Sequence, residues 1–202
     1  MPEITGLHEV SASAVLVELD GAPWRKIPLT AAARAGLSVG KRLRREDLRL
    51  LGRELRRAEA LTEATRMLAR RPLPKALLEE RLEKKGVAPV ALEEAVDALE
   101  QAQYLNDRSY ALERTRSLAE RSYGNAAVRY ILEQERVGPE LIEEAIDALE
   151  PELERARAIA GSVSDRKKLL GRLARRGFDP ETLDTISDWG DAGDCSEEHQ
   201  ST

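Results

Sequence analysis

This chain of 202 residues has one cysteine, one phenylalanine and two histidines, and only 3% of it is aromatic. A lone thiol, Cys195, has no partner for an intrachain disulfide, so no covalent bridge is expected in the fold. His8 and His199 stand at opposite ends, in segments expected to be mobile, and with Cys195 they compose neither a metal-ligating set nor a Cys/His dyad. Gly36 and Gly40 are isolated, and no Gly-Lys-Ser/Thr follows them, so a phosphate-cradling loop is missing too. The longest stretch without charge runs only from Val10 to Val17, too short to cross a bilayer, and Met1 to Thr5 lacks the basic start of a signal peptide. Neither catalysis, nor a metal or cofactor, nor a membrane partner is expected, and the cytoplasm is the expected compartment.

What the chain does have is a repeat. The segment from Glu83 to Glu100, EKKGVAPVALEEAVDALE, returns fifty residues later as EQERVGPELIEEAIDALE, ending at Glu150. A shorter copy, LARRGFDPETLDTI, runs from Leu173 to Ile186. Pro89, Pro139 and Pro180 fall at one point in each copy, two residues after Val87, Val137 and Phe178. Self-similarity at this period signals stacked supersecondary units that bury their apolar faces against one another. The prolines mark helix starts, because a first-turn residue needs no N–H donor. Behind them Leu92, Ala95, Val96 and Leu99, and again Ile142, Ala145, Ile146 and Leu149, repeat with the spacing of one helical face. In the middle copy Asn106 or Asp107 can cap a helix through about Arg121, and Gly124 with Asn125 breaks it before a second stripe at Val128, Ile131 and Leu132. In the last copy Leu169, Leu173, Leu183 and Ile186 keep the stripe, and Gly177 suits the left-handed stop of a helix.

The expected fold is therefore mainly α: a tandem array of three three-helix repeats, over residues 58–105, 106–150 and 151–186. A basic helix over 44–57 connects the array to a small β-hairpin-containing module at 1–43. There Asp20 and Gly21 suit a two-residue hairpin turn, and Thr30 and Gly36 can bracket a short helix. Residues 187–202 carry five carboxylates and no Lys or Arg, the composition of a disordered acidic tail. With 42% apolar residues and so few aromatics, the core must be built from Leu, Val, Ile and Ala.

A net charge of -5 conceals segregation. From Lys41 to Lys75 there are twelve bases against five acids; from Glu79 to Glu154, nineteen acids against nine bases; from Arg155 to Ile186, eight bases against four acids. Single charge runs are commonly just solvated helix faces. Two basic segments flanking an acidic one invite a partner, because like charges repel. The candidate partner- or DNA-binding residues are Lys41, Arg42, Arg44, Arg45, Arg70, Arg71 and Lys75 in the first segment, and Arg166, Lys167, Lys168, Arg172, Arg175 and Arg176 in the second. Any DNA contact through them would be nonspecific and salt-sensitive, to single or double strands. The second and third helices of a copy suggest a helix-turn-helix, but Glu93, Glu94 and Asp97, and Glu140, Glu143, Glu144 and Asp147, would set carboxylates against phosphate on the third helix. Consecutive pairs such as Glu143 and Glu144 diverge on a helix and are read as surface charge.

Taken in succession, YLNDRSYALER, a helix ending before Gly124, and VRYILEQERVGPELIEEAI resemble the central repeat of the RecX family, regulators of the bacterial RecA recombinase. The resemblance covers roughly Arg57 to Ile186 and includes the threefold repetition. Arg136 stands where a glycine is usual, whereas Gly86 and Gly177 keep it. The acidic tail is not part of the family pattern. The resemblance implies a protein that lies along the helical groove of a RecA filament on single-stranded DNA. It would act as a monomer and restrain strand exchange, ATP hydrolysis and the coprotease activity of the SOS response. A nonspecific nucleic-acid-binding helical protein of DNA repair is the alternative.

Overall fold

The computed structural model describes residues 1–161 and 165–189. They form strands β1 (Ile4–Ser11), β2 (Ala14–Leu19) and β3 (Ala22–Pro28), followed by helices α1 (Leu29–Arg34), α2 (Arg45–Arg70), α3 (Lys75–Lys84) and α4 (Pro89–Gln101). The remaining helices are α5 (Asp107–Glu120), α6 (Asn125–Gln134), α7 (Pro139–Asp147), α8 (Glu152–Ala160), α9 (Arg166–Arg175) and α10 (Pro180–Trp189). The chain divides into two compact units, Met1–Leu105 and Asn106–Thr202.

In the first unit the strands make an antiparallel sheet in the order β1-β2-β3. Asp20 and Gly21 join β2 to β3 with φ of 51° and 80°, the doubly left-handed turn whose twist suits a hairpin. Ile4, Val15, Val17 and Ile27 line one face, and Ala31 and Ala32 of α1, Leu43, and Leu51 and Leu55 of α2 close over it. Strand β1 was not foreseen. The short helix starts at Leu29 instead of after Thr30 and stops at Gly36 with φ of +61°, as its glycine suggested.

Helix α2 differs most from expectation. A boundary at residue 57 separated a connecting helix from the first repeat, yet one 26-residue helix runs through it. No proline interrupts it, and its single glycine, Gly52, costs only about 1 kcal/mol relative to alanine. The helix changes duty along its length. Leu51 and Leu55 serve the sheet, whereas Ala64 joins the core of Leu78, Leu82, Leu92, Val96 and Leu99 built with α3 and α4. Between these two cores Ala60 meets Ala91 and Ala95 of α4, where small side chains let the helices approach closely. Leu78 and Leu82 are wholly buried, and each contributes roughly 1.5–3 kcal/mol of transfer free energy.

The second unit holds two further three-helix bundles. Asn106 caps α5 by accepting from the Ser109 N–H at 2.9 Å. Val128, Leu132, Val137, Ile142, Ala145 and Ile146 pack with Ala111 and Leu118 to make one core. Ala156, Leu169, Leu173, Phe178 and Ile186 make the other, so the lone phenylalanine is a core residue. Pro89 and Pro139 occupy first-turn positions, as their spacing predicted. Gly86, Arg136 and Gly177, equivalent in the three copies, have φ of +78°, +64° and +74°. Arg136 thus keeps the left-handed turn without a glycine, at about 1 kcal/mol of backbone strain.

The two bundles of this unit are joined at their turns. The Gly124 N–H donates to the Arg176 carbonyl at 2.9 Å and the Ala126 N–H to the Gly177 carbonyl at 3.2 Å. A side chain at Gly124 would overlap the Gly177 carbonyl, so close approach, rather than φ, demands that glycine. Beneath lies Glu152, 8% exposed, whose carboxylate accepts from the Asn125 N–H at the start of α6, and from the Asp179 N–H at 3.0 Å and the Thr182 hydroxyl at 2.9 Å at the start of α10. Arg155 donates to the Tyr123 carbonyl at 3.0 Å and to Asn125, and its guanidinium lies 6.0 Å from the Phe178 ring centre. Ser187, Asp188 and Trp189, expected in the tail, complete α10, and the rest of the expected tail, residues 190–202, lies outside the described residues.

Candidate functional site

Of the first basic segment, Lys41 and Arg42 are engaged within the fold. Lys41 pairs with Asp47 at 2.9 Å and donates to the Gly36 carbonyl at 3.0 Å; Arg42 pairs with Glu3 at 3.2 Å and its backbone bridges to that residue. The ammonium of Lys41, then the Arg44 N–H, hold the Asp47 carboxyl below the usual carboxylate range. Arg44 and Arg45, at the start of α2, remain exposed. Lys75 spends its charge on Glu100 at 2.9 Å.

Arg70 and Arg71 have a different setting. The Arg71-Pro-Leu-Pro turn folds α3 back along α2, and the last turns of the two helices border one pocket of about 430 Å³. Its walls carry Arg66, Met67, Arg70 and Arg71 from α2 and the segment after it, Arg81, Lys84 and Lys85 from α3 and its cap, and a single acid, Glu63. Glu63 ties the two sides together, holding Arg66 at 2.8 Å and Lys85 at 2.7 Å. Arg66 first, then Lys85, pull its carboxyl down from an ordinary 4.5 to about 2. Arg66, Arg81, Lys84 and Lys85 were absent from the expected site, and three of them fall in the stretch read as acidic. A signal existed: Arg66 with Arg70, and Arg81 with Lys84 and Lys85, each stand at helical spacing.

A pH dependence follows from Glu63. Its folded pKa lies below its unfolded one, so its pairs stabilise the first unit fully above about pH 4.5 and lose that effect as pH falls toward 2. The melting-temperature difference between parent and Glu63→Gln is expected to be full at pH 7, to shrink as pH falls below about 4.5 and to vanish only below about 2, measured by circular dichroism. A gap that is constant with pH would show that the carboxylate charge is not what matters.

In the second unit the expected cluster separates into two groups. Asp165 caps α9, accepting from the Lys168 N–H at 3.0 Å and pairing with its ammonium at 3.2 Å. Lys167, Lys168, Arg172 and Arg175 are exposed, and three of them, at 168, 172 and 175, share a helix face beside the buried one of Leu169 and Leu173. Arg176 instead turns inward, donating to the Arg121 carbonyl at 2.9 Å with its guanidinium 4.9 Å from the Tyr123 ring centre. Arg166 is half-buried. Exposed positive surface on α9 thus comes from four of the six residues singled out, Lys168 sharing its charge with Asp165.

Three of the seven third-helix acids named above are answered inside their own unit. Glu94 meets Arg53 of α2, Glu143 meets Arg129 of α6 at 2.7 Å, and Glu144 meets Arg108 of α5. Glu143 and Glu144 diverge, as consecutive helical residues must. These arginines hold the Glu143 and Glu144 carboxyls below their usual range. His8 lies not in a mobile segment but in β1, exposed and 3.3 Å from Glu18. Among the described residues no group of His, Cys, Asp and Glu could hold a metal, and no helix is long and apolar enough to cross a membrane.

No protein-family model matches the sequence, and no curated protein does. Solved structures do match. The crystal structure of regulatory protein RecX superposes with a TM-score of 0.78 at 18% identity, over 93% of this chain and all of that one. RecX from Lactobacillus salivarius superposes with a TM-score of 0.58 at 19% identity, over 68% of this chain and 97% of its own. A mainly helical chain with an amino-terminal three-stranded sheet and three successive three-helix bundles therefore has the fold of the RecX regulatory proteins.

Proposed function

We propose that the chain is a RecX-type regulator that binds the filament of the RecA recombinase along its groove. In this reading it restrains strand exchange, ATP hydrolysis and coprotease activity in the cytoplasm during DNA repair and the SOS response, and has no catalysis of its own. The observation that carries this is the match of the whole fold, sheet and bundles together, over all of the RecX chain. The repeat organisation supports it. Each bundle has a core of its own, so successive bundles can meet successive sites on a polymer, and each contact gains effective concentration once its neighbour has docked.

The test is the DNA-dependent ATP hydrolysis of the cognate RecA. Substoichiometric chain is expected to lower the rate, and the chain alone to hydrolyse nothing. Reversing Lys167, Lys168, Arg172 and Arg175 to Glu is expected to weaken the effect most at low salt, since screening removes part of it already. An unchanged hydrolysis rate at several-fold excess of folded chain would exclude the recombinase as partner.

A second reading, nucleic-acid binding, is favoured by the basic pocket between α2 and α3.

A further inference from the structure

The pocket between α2 and α3 gathers more positive charge than folding accounts for. Helix dipoles explain part of it, since Arg70 lies in the last turn of α2 and Arg81 and Lys84 in that of α3, where a cation gains about 0.3–1 kcal/mol. Dipoles act on each helix separately, however, and would be answered equally well by side chains splayed into water. Instead six cations and one carboxylate border a single cavity of about 430 Å³. Glu63 offsets one charge and is already shared by Arg66 and Lys85, while Lys84 pairs with Glu80 along its own helix. Among the described residues Arg70, Arg71 and Arg81 have no ion-pair partner. Such crowding within a chain of net negative charge is unfavourable until an anion enters.

The lining defines the anion. Four of the six cations are arginines, whose planar forks match phosphate oxygens two at a time, a geometry lysine cannot offer. Met67 adds an apolar, polarizable wall, which inorganic phosphate would not use but a base can. Glu63 fixes the Arg66 guanidinium, a flat cation of the kind on which bases stack. The volume falls within the roughly 300–1,000 Å³ of pockets that enclose a small ligand. It accommodates one unstacked nucleotide and excludes a duplex, whose bases are closed within a rod. We propose that this pocket binds single-stranded nucleic acid, taking one nucleotide from the strand with its flanking phosphates on Arg70, Arg71 and Arg81 and its base on the wall that Met67 and Arg66 line. The proposal stands apart from the recombinase reading, because the chain alone should bind.

The experiment measures fluorescence anisotropy of a labelled thymidine oligomer of about 15 nucleotides, long enough for one to a few such sites, across a salt series with the full chain. Single strand should bind more tightly than a duplex of equal phosphate number, and an abasic oligomer of the same charge should bind less tightly than the thymidine one. Replacing Arg70, Arg71 and Arg81 by Ala should lower affinity by roughly tenfold and reduce the salt slope by about 1.4, the sum for the two phosphates that flank one nucleotide of a single strand. A matched variant, Arg25→Ala with Lys26→Ala and Arg49→Ala, removes the same charge from exposed positions outside the pocket and should stay within about twofold of the parent. Circular dichroism confirms that both variants fold. Parent-like binding by the pocket variant, an equal loss in the matched one, or equal affinity for duplex would each overturn the proposal, leaving only diffuse charge. Equal binding of the abasic oligomer would overturn the base pocket.

Discussion

An Ile142→Asp variant is expected to lose the fold of the second unit. Ile142 is 1% exposed and lies in a core shared with Val128, Leu132, Leu118 and Ile146, none of which can hydrogen-bond a carboxylate. Burying an unpaired charge there, or protonating it and burying the acid, costs several kcal/mol in addition to the lost apolar contact. A domain has only about 5–15 kcal/mol in hand, so the penalty is comparable with total stability. Ile142→Val, which removes one methylene, should cost only about 0.5–1.5 kcal/mol. The sheet and α2–α4 have separate cores, so the helical signal should fall in part and a urea transition for the first unit should survive. A loss below about 1 kcal/mol would mean that this core is open to water.

The bundles were legible in the sequence because their boundaries rest on backbone chemistry that a residue type announces. Pro89, Pro139 and Pro180 start helices since they lack an N–H, Asn106 caps one by accepting from Ser109, and Gly86 and Gly177 take the left-handed stop. Where the equivalent residue is Arg136, the surrounding bundle imposes the same φ. Strand β1 was missed because its outer half is exposed on both faces, so it shows no alternation, and it is held by its backbone ladder to β2. The continuity of α2 was missed because a change of core partner leaves no mark in helix periodicity.

The basic pocket was hidden for another reason. Along the chain, Arg81, Lys84 and Lys85 are outnumbered by the many glutamates that follow them. Folding compares residues across the hairpin of α2 and α3, where the same cations meet Arg66, Arg70 and Arg71. Conversely, Arg166 and Arg176, prominent in the linear count, are drawn into the fold, and Glu94, Glu143 and Glu144 of the third helices are answered by arginines of their own unit.

Glu152→Ala is expected to destabilise the second unit by about 3–5 kcal/mol, the usual consequence of removing one member of a buried charged network. Nothing in the sequence marked this residue, which reads as one more acid between two runs of charge. In the fold its two oxygens serve two bundles, one accepting from Asn125 at the start of α6, the other from Asp179 and Thr182 at the start of α10. Alanine leaves both backbone donors without their acceptor, at roughly 1–3 kcal/mol each. It also removes negative charge from beside Arg155, whose guanidinium burial already disfavours and whose charge Glu152 supports. A partial compensation comes from Asp179. Burial first, and the neighbouring Glu152 second, push its carboxyl above the usual range, and deleting Glu152 relieves the second of these. Glu152→Gln keeps the shape and one acceptor but turns an NH2 toward a donor, so its loss should be intermediate. Urea unfolding gives the size of the effect, and hydrogen exchange its place: protection should fall first at the amides of Asn125 and Asp179 and at the Gly124–Arg176 bond, while α2 to α4 exchange as before. A loss under 1 kcal/mol for the alanine variant, with exchange unchanged at those amides, would show that water replaces the carboxylate and that the two bundles are held together by the Gly124 and Gly177 turns alone.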